Sequence, residues 1–277
     1  SLHDALPISK VVEGLLTYDF ELNPRPQLAT AWSVSEDGLQ YRFELRRNVK
    51  WHDGQPFTAA DVVYSIGLLK SAHPRGRTTF ANLLESGAVD EHTVVLKLSK
   101  PAPYLLYALA AGESPIVPRH IYDGKGDPLQ NPNNRAPVGT GPFVFKEWVL
   151  GNYVGYVRNP NYWDSPKPYL DALLVRVIPD GAARAVAFET GELDLGGSTP
   201  VSPLDLERFR SLPHLGQETR GYEYSPTLYG LEFNLDHPIL KSPQVRKAIA
   251  HAVDPAVVLN VAWYGLGERT VSIVSPM

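Results

Sequence analysis

The chain contains no cysteine among its 277 residues, which removes disulfide frameworks, thiolate metal sites and cysteine nucleophiles together. Long apolar runs are also missing. No stretch reaches the roughly 18 residues that a membrane-spanning helix needs. The most apolar short segment, 104–111, is interrupted at Gly112 and Glu113 and reads as a buried helix. Charge of one sign is not concentrated: the net charge is −4 and Lys and Arg are scattered, so no nucleic-acid footprint is read. The nucleophile elbow Gly-x-Ser-x-Gly, the phosphate-cradling glycine loop with lysine and the helical His-Glu-x-x-His pattern are all absent from the sequence. The eight histidines are dispersed; His52 adjoins a carboxylate, Asp53, at a turn signal, and neighbours on a turn rarely form a metal site. Glu192 and Asp194 lie two apart, but paired-acid chemistry also needs a groove between them, and they read as a solvated strand edge. The sequence therefore offers no catalytic residue, no metal ligand set and no cofactor site.

What is present fits a soluble α/β protein. Hydrophobic residues at 43% and charged residues at 20% exclude general disorder, and the length predicts two compact units or one large one. Leu39, Tyr41, Phe43 and Leu45 alternate with polar residues as a half-buried strand. Asp37-Gly38 offers a turn that pairs it with Trp32-Ser33-Val34. Thr58 ahead of Asp61 opens a helix over 61–70 whose Val62, Val63, Ile66 and Leu69 share a face. Val94, Leu96 and Leu98 alternate as another strand. Segments 143–148 and 153–157 flank Gly151-Asn152 as a hairpin. The run 173–178 reads as a central strand buried on both faces, followed by a helix over 182–190 that Gly191 ends. Ser202-Pro203, Ser242-Pro243 and Asp254-Pro255 each place a capping residue before a first-turn proline, and 228–234 reads as a strand. The Pro/Asn/Gly-rich segment 123–140 is a long surface loop.

Eight blocks in order carry a resemblance. They begin with Pro26-Gln27-Leu28-Ala29-Thr30-Ala31-Trp32, Ser35-Glu36-Asp37-Gly38-Leu39-Gln40-Tyr41 and Leu45-Arg46-Arg47-Asn48-Val49-Lys50-Trp51-His52-Asp53-Gly54. Thr58-Ala59-Ala60-Asp61-Val62-Val63-Tyr64-Ser65, Pro137-Val138-Gly139-Thr140-Gly141-Pro142-Phe143 and Arg158-Asn159-Pro160-Asn161-Tyr162-Trp163 follow. Glu189-Thr190-Gly191-Glu192-Leu193-Asp194 and Val245-Arg246-Lys247-Ala248-Ile249-Ala250-His251-Ala252-Val253-Asp254 complete the set. Together they resemble family-5 bacterial solute-binding proteins of the peptide/nickel class. The resemblance implies a type II periplasmic-binding-protein-like two-lobed α/β fold, here truncated to the first lobe with its inserted subdomain. On that basis residues 1–10 are set aside as a non-native segment, and 11–32 plus 165–260 form the first lobe. Residues 33–164 are the inserted subdomain, and 261–277 begin a second lobe.

The implied function is non-enzymatic: capture of short peptides outside the cytoplasmic membrane and delivery to the permease of an ABC importer. The expected protein is a monomer with no cofactor. It sits in the periplasm, or is lipid-anchored at the extracellular face. Within the family the alternatives are a nickel chelate, an opine or an oligosaccharide; a secreted hydrolase and a sensor protein are rivals from other classes. Peptide specificity rests on the stretch Gly221-Tyr222-Glu223-Tyr224 and on general family frequency. A ligand-facing wall is expected from Glu113, Ser114, Thr140, Tyr222 and Tyr224: the first pair ends the apolar segment, Thr140 leaves the glycine-flanked loop, and the tyrosines precede a strand.

Overall fold

The structure, a computed structural model, describes residues 9–197, 200–218 and 229–270. The chain divides into two compact units, Ser1–Val177 and Ile178–Met277.

In the first unit a short ribbon joins β1 (Leu16–Tyr18) to β2 (Pro24–Pro26). A four-stranded antiparallel sheet follows, built from β3 (Ala29–Val34), β4 (Gln40–Leu45), β5 (Leu83–Asp90) and β6 (Thr93–Leu98) in the order β3-β4-β6-β5. The expected β3–β4 hairpin forms, with Trp32 opposite Phe43, and Gly38 turns it at φ +68°. Helix α1 (Ala59–Ala72) starts at Thr58, whose N–H donates to Asp61 Oδ2 at 2.9 Å. Its Val62, Ile66 and Leu69 are buried in a core with Phe43, Leu96, Trp51 and Phe57. Strand β5 has no hydrophobic alternation, since Glu85, Ser86, Gly87 and Asp90 break it. Backbone pairing to β6 alone makes it the edge of the sheet.

The expected helix over 104–111 is instead a short 3-10 helix, Pro103–Ala108, with Leu105 and Leu109 buried and Tyr104 and Tyr107 exposed. Two prolines, Pro101 and Pro103, leave too little chain to recover the cost of nucleating an α-helix.

A second sheet contains β7 (Phe143–Val149), β8 (Tyr153–Arg158) and β9 (Ala172–Arg176), ordered β7-β8-β9, with Gly151 turning the hairpin at φ +74°. Strand β9 corrects the expectation for 173–178. It is an edge strand with one covered face: Leu173 and Val175 pack with Val11, Val12, Phe143 and Tyr156, while Leu174 is 57% exposed. The pairing of β8 with β9 also crosses the boundary expected at residue 164, so the hairpin joins the segments on both sides of it.

The second unit is helical among its described residues. Helix α2 (Gly181–Glu189) is capped by Asp180, which accepts the Ala183 N–H at 2.7 Å, and ends at Gly191 with φ +73°. Helices α3 (Pro203–Phe209), α4 (Pro243–Ala252) and α5 (Pro255–Trp263) begin at the three expected cap–proline pairs. A small cluster of Ala185, Phe188 and Val201 holds α2 and α3. Residues 229–234 carry no strand, contrary to the sequence expectation, and residue 228 lies outside the described residues.

Candidate functional site

The segment Val11-Val12-Glu13-Gly14-Leu15-Leu16 runs through both cores of the first unit. Val11 and Val12 pack with the β7–β9 sheet, whereas Leu15 and Leu16 belong to the larger core. Glu13 lies between them, fully buried. Its carboxylate accepts four hydrogen bonds: Gln27 Nε2 (3.2 Å) and Tyr162 OH (2.8 Å) reach Oε1, and Thr140 Oγ1 (2.9 Å) and Trp163 Nε1 (2.9 Å) reach Oε2. Four donors on two oxygens satisfy the carboxylate without a cationic partner in direct contact. Burial raises its pKa above the ordinary 4.5, against the pull of those hydrogen bonds. Burial, then the charge of Glu13, also pushes the Tyr162 phenol well above its usual range. Arg46 closes the outside, its guanidinium 3.8 Å from the Trp163 ring centroid and its Nε donating to Gln27 O at 3.0 Å.

The 139–141 loop is pressed against this segment. A Cβ on Gly139 would stand 1.8 Å from Val11 O and one on Gly141 2.7 Å from the same atom, so both positions require glycine. Gly141 N–H donates to Val11 O at 2.8 Å. Against the loop lies His52. Gly139 N–H donates to Nδ1 (3.3 Å) and Nε2 lies 2.9 Å from Gly141 O. An N–H can only donate and a carbonyl can only accept, so the ring is neutral with its proton on Nε2. Burial lowers the His52 pKa below 6.5.

Of the five wall residues expected from sequence, the structure brings two segments to this knot. Thr140 is buried with its hydroxyl spent on Glu13, and the 113–116 strip runs alongside, Ile116 N–H donating to Glu13 O at 2.9 Å. Ser114 is 1% exposed, and its Oγ has no partner among the described residues. Glu113 reaches the surface, where its carboxylate pairs with Arg75 at 2.6 Å. Tyr222 and Tyr224 lie outside the described residues. Sequence reading missed Glu13 itself. The signal was one acid inside the apolar run 11–16, a placement that demands partners.

A concavity of about 420 Å³ is lined by Gln55, Thr58, Asp61, Arg119, His120 and Asp123 among others. Its charged groups are already engaged: Asp61 accepts the Arg119 backbone N–H, the Arg119 guanidinium meets Asp123, and His120 meets Asp53. Among the described residues no group of three or more His, Asp or Glu is placed to hold a metal ion, and no helix is long and apolar enough to cross a membrane.

This scaffold, mixed α/β with its sequence blocks wired to one buried carboxylate, is of the type II periplasmic-binding-protein class. The chain belongs to the bacterial extracellular solute-binding proteins, family 5, whose middle region matches residues 23–277. It is 30% identical to the oligopeptide-binding protein AppA of Bacillus subtilis, covering 100% of this chain and 51% of that protein. Among solved structures it is similar to NikZ from Campylobacter jejuni in complex with Ni(L-His), with a TM-score of 0.78, 28% identity, and coverage of 96% of this chain and 52% of that one. AgaA from A. tumefaciens R10, in complex with agropinic acid, gives a TM-score of 0.81 at 29% identity over 100% of this chain and 54% of that one. The chain thus spans about half the length of these proteins.

Proposed function

We propose that the chain forms part of a non-enzymatic, monomeric receptor that captures short peptides outside the cytoplasmic membrane and hands them to an ABC importer. The observation that carries this reading is the similarity to AppA, an oligopeptide-binding protein, along the whole chain. OppA of Escherichia coli, a periplasmic oligopeptide-binding protein, supports it at 27% identity over 90% of the chain.

In this reading Glu113, with Tyr222 and Tyr224, lines the ligand wall, and Ser114 and Thr140 support that wall from beneath. Glu113 suits the role because its side chain is 36% exposed and oriented by Arg75. A second reading, a metal chelate or an opine as cargo, is favoured by the similarity to NikZ and AgaA.

Calorimetric titration of the longest reading frame containing this chain separates them, with a pool of di- and tripeptides, Ni(L-His) and agropinic acid in parallel. Saturable heat with the peptide pool alone supports the first reading. Saturation by the chelate or the opine, with none by peptides, replaces it with the second.

A further inference from the structure

The 139–141 loop is the crossing from the larger core to the β7–β9 sheet, and it is gripped from two sides. One grip is Val11, whose carbonyl accepts the Gly141 N–H at 2.8 Å. The other is His52, which holds the loop three times: its backbone N–H donates to Gly139 O (2.9 Å), its Nδ1 accepts from Gly139 N–H, and its Nε2–H donates to Gly141 O. Asn159 Nδ2 adds a fifth hydrogen bond, to Gly141 O at 3.0 Å.

We propose that His52 is an acid-sensitive clasp on the 139–141 loop, closed while its imidazole is neutral and opened at Gly139 when Nδ1 is protonated. The chemistry follows from donor count. A proton on Nδ1 turns the acceptor of the Gly139 N–H into a second donor, so that hydrogen bond is lost. The Nε2–H bond to Gly141 O survives and gains charge. The Gly139 amide is therefore freed while the His52 N–H still holds Gly139 O and Nε2–H still holds Gly141 O, so the loop loosens at that amide and the approach of Thr140 to Glu13 is less tightly fixed.

The titratable and charged groups around the ring set the direction. Asp53, next in the chain, favours the protonated ring, but its Oδ2 is engaged by His120 Nε2 at 2.7 Å. Glu13 is linked to the loop through the Thr140 hydroxyl. The loop faces the ring with two neutral groups, the Gly139 N–H and the Gly141 carbonyl, of which the carbonyl favours the protonated ring. Burial outweighs Asp53 and keeps the ring neutral at pH 7. The clasp does not depend on which ligand is carried.

The test is NMR on the 277-residue chain between pH 8 and 5, reading His52 ring shifts and the exchange protection of the Gly139 amide after correction for intrinsic rates. The expected result is at least a tenfold loss of Gly139 protection, with the same midpoint as the His52 ring and below pH 6.5, while β4 and β6 amides stay protected. In His52→Gln the step with pH is expected to vanish, whatever the protection at pH 8. Should that variant fail to fold, the coincidence of the two midpoints in the unmodified chain decides. Unchanged Gly139 protection once the ring has titrated would overturn the proposal. So would loosening that follows a carboxylate midpoint below the ring's own, or a pH step that persists in His52→Gln.

Discussion

The two units put the same kinds of local signal into opposite circumstances. In the first, α1 and the strands β4 and β6 bury Val62, Ile66, Phe43 and Leu96 completely. In the second, α4 and α5 start where Ser242-Pro243 and Asp254-Pro255 direct, yet neither has a buried residue. Val257, Val258 and Val261 of α5 are 56%, 50% and 70% exposed. A cap and a first-turn proline set where a helix begins, but they contribute only about 1 kcal/mol. Burial decides what the helix is worth, since isolated helices shorter than about 12–15 residues are marginal in water.

That contrast breaks most sharply at Glu13. Replacing it with Ala takes the acceptor from four donors, those of Gln27, Thr140, Tyr162 and Trp163, and each donor that stays buried without a partner costs about 1–3 kcal/mol. Glu13→Ala should therefore lower the unfolding free energy of the first unit by about 4 kcal/mol in a denaturant titration. Helicity of the second unit should remain. Core and surface apolar residues separate next. Ile66→Ala should cost about 3 kcal/mol, and Val261→Ala about 0.5 kcal/mol or less in the same titration.

Glycines sharpen the comparison within the first unit. At Gly139 a methyl meets backbone at 1.8 Å, so Gly139→Ala should cost about 2–3 kcal/mol. Gly67 lies exposed inside α1 with open space around it, and Gly67→Ala should stabilise by about 1 kcal/mol, read as a higher thermal midpoint.

A further small effect is that of pH. The His52 pKa is depressed in the fold, so as pH falls from 7 the unfolded chain binds the proton first. Stability is lost through 6.5 towards the lower folded value. The raised pKa of Glu13 works the other way: ionisation costs stability, and acidification towards 4.5 relieves it. Glu13 is common to both chains, so comparing the unmodified chain with His52→Gln between pH 7 and 6 isolates the His52 effect. The unmodified chain is then expected to lose at most about 0.7 kcal/mol relative to His52→Gln, measured by denaturant titration at each pH.

Much of this architecture was legible because it is local. The β3–β4 hairpin follows from Asp37-Gly38 and its alternating neighbours, α1 from Thr58 and Asp61, and α2–α5 from their caps. The failures share one cause, which is that they depend on distant partners. Strand β5 exists through β6, and β9 is half-covered because its neighbours end there. The apolar run 104–111 could not reveal that its tyrosines face outward. The same holds for the site: Thr140, Tyr162 and Trp163 stood out as sequence blocks, but the carboxylate that collects them sits more than a hundred residues earlier in the chain. These blocks identify the family because they build its frame, which explains why they say little about the ligand.

Native-state hydrogen exchange across the chain tests most directly whether burial, rather than local helix signals, distributes the stability. Amides of β4 and β6 are predicted to exchange only with global unfolding of the first unit, while those of α4 and α5 exchange through local opening at far lower free energy. Equal protection in 243–263 and in 40–45 would contradict the account.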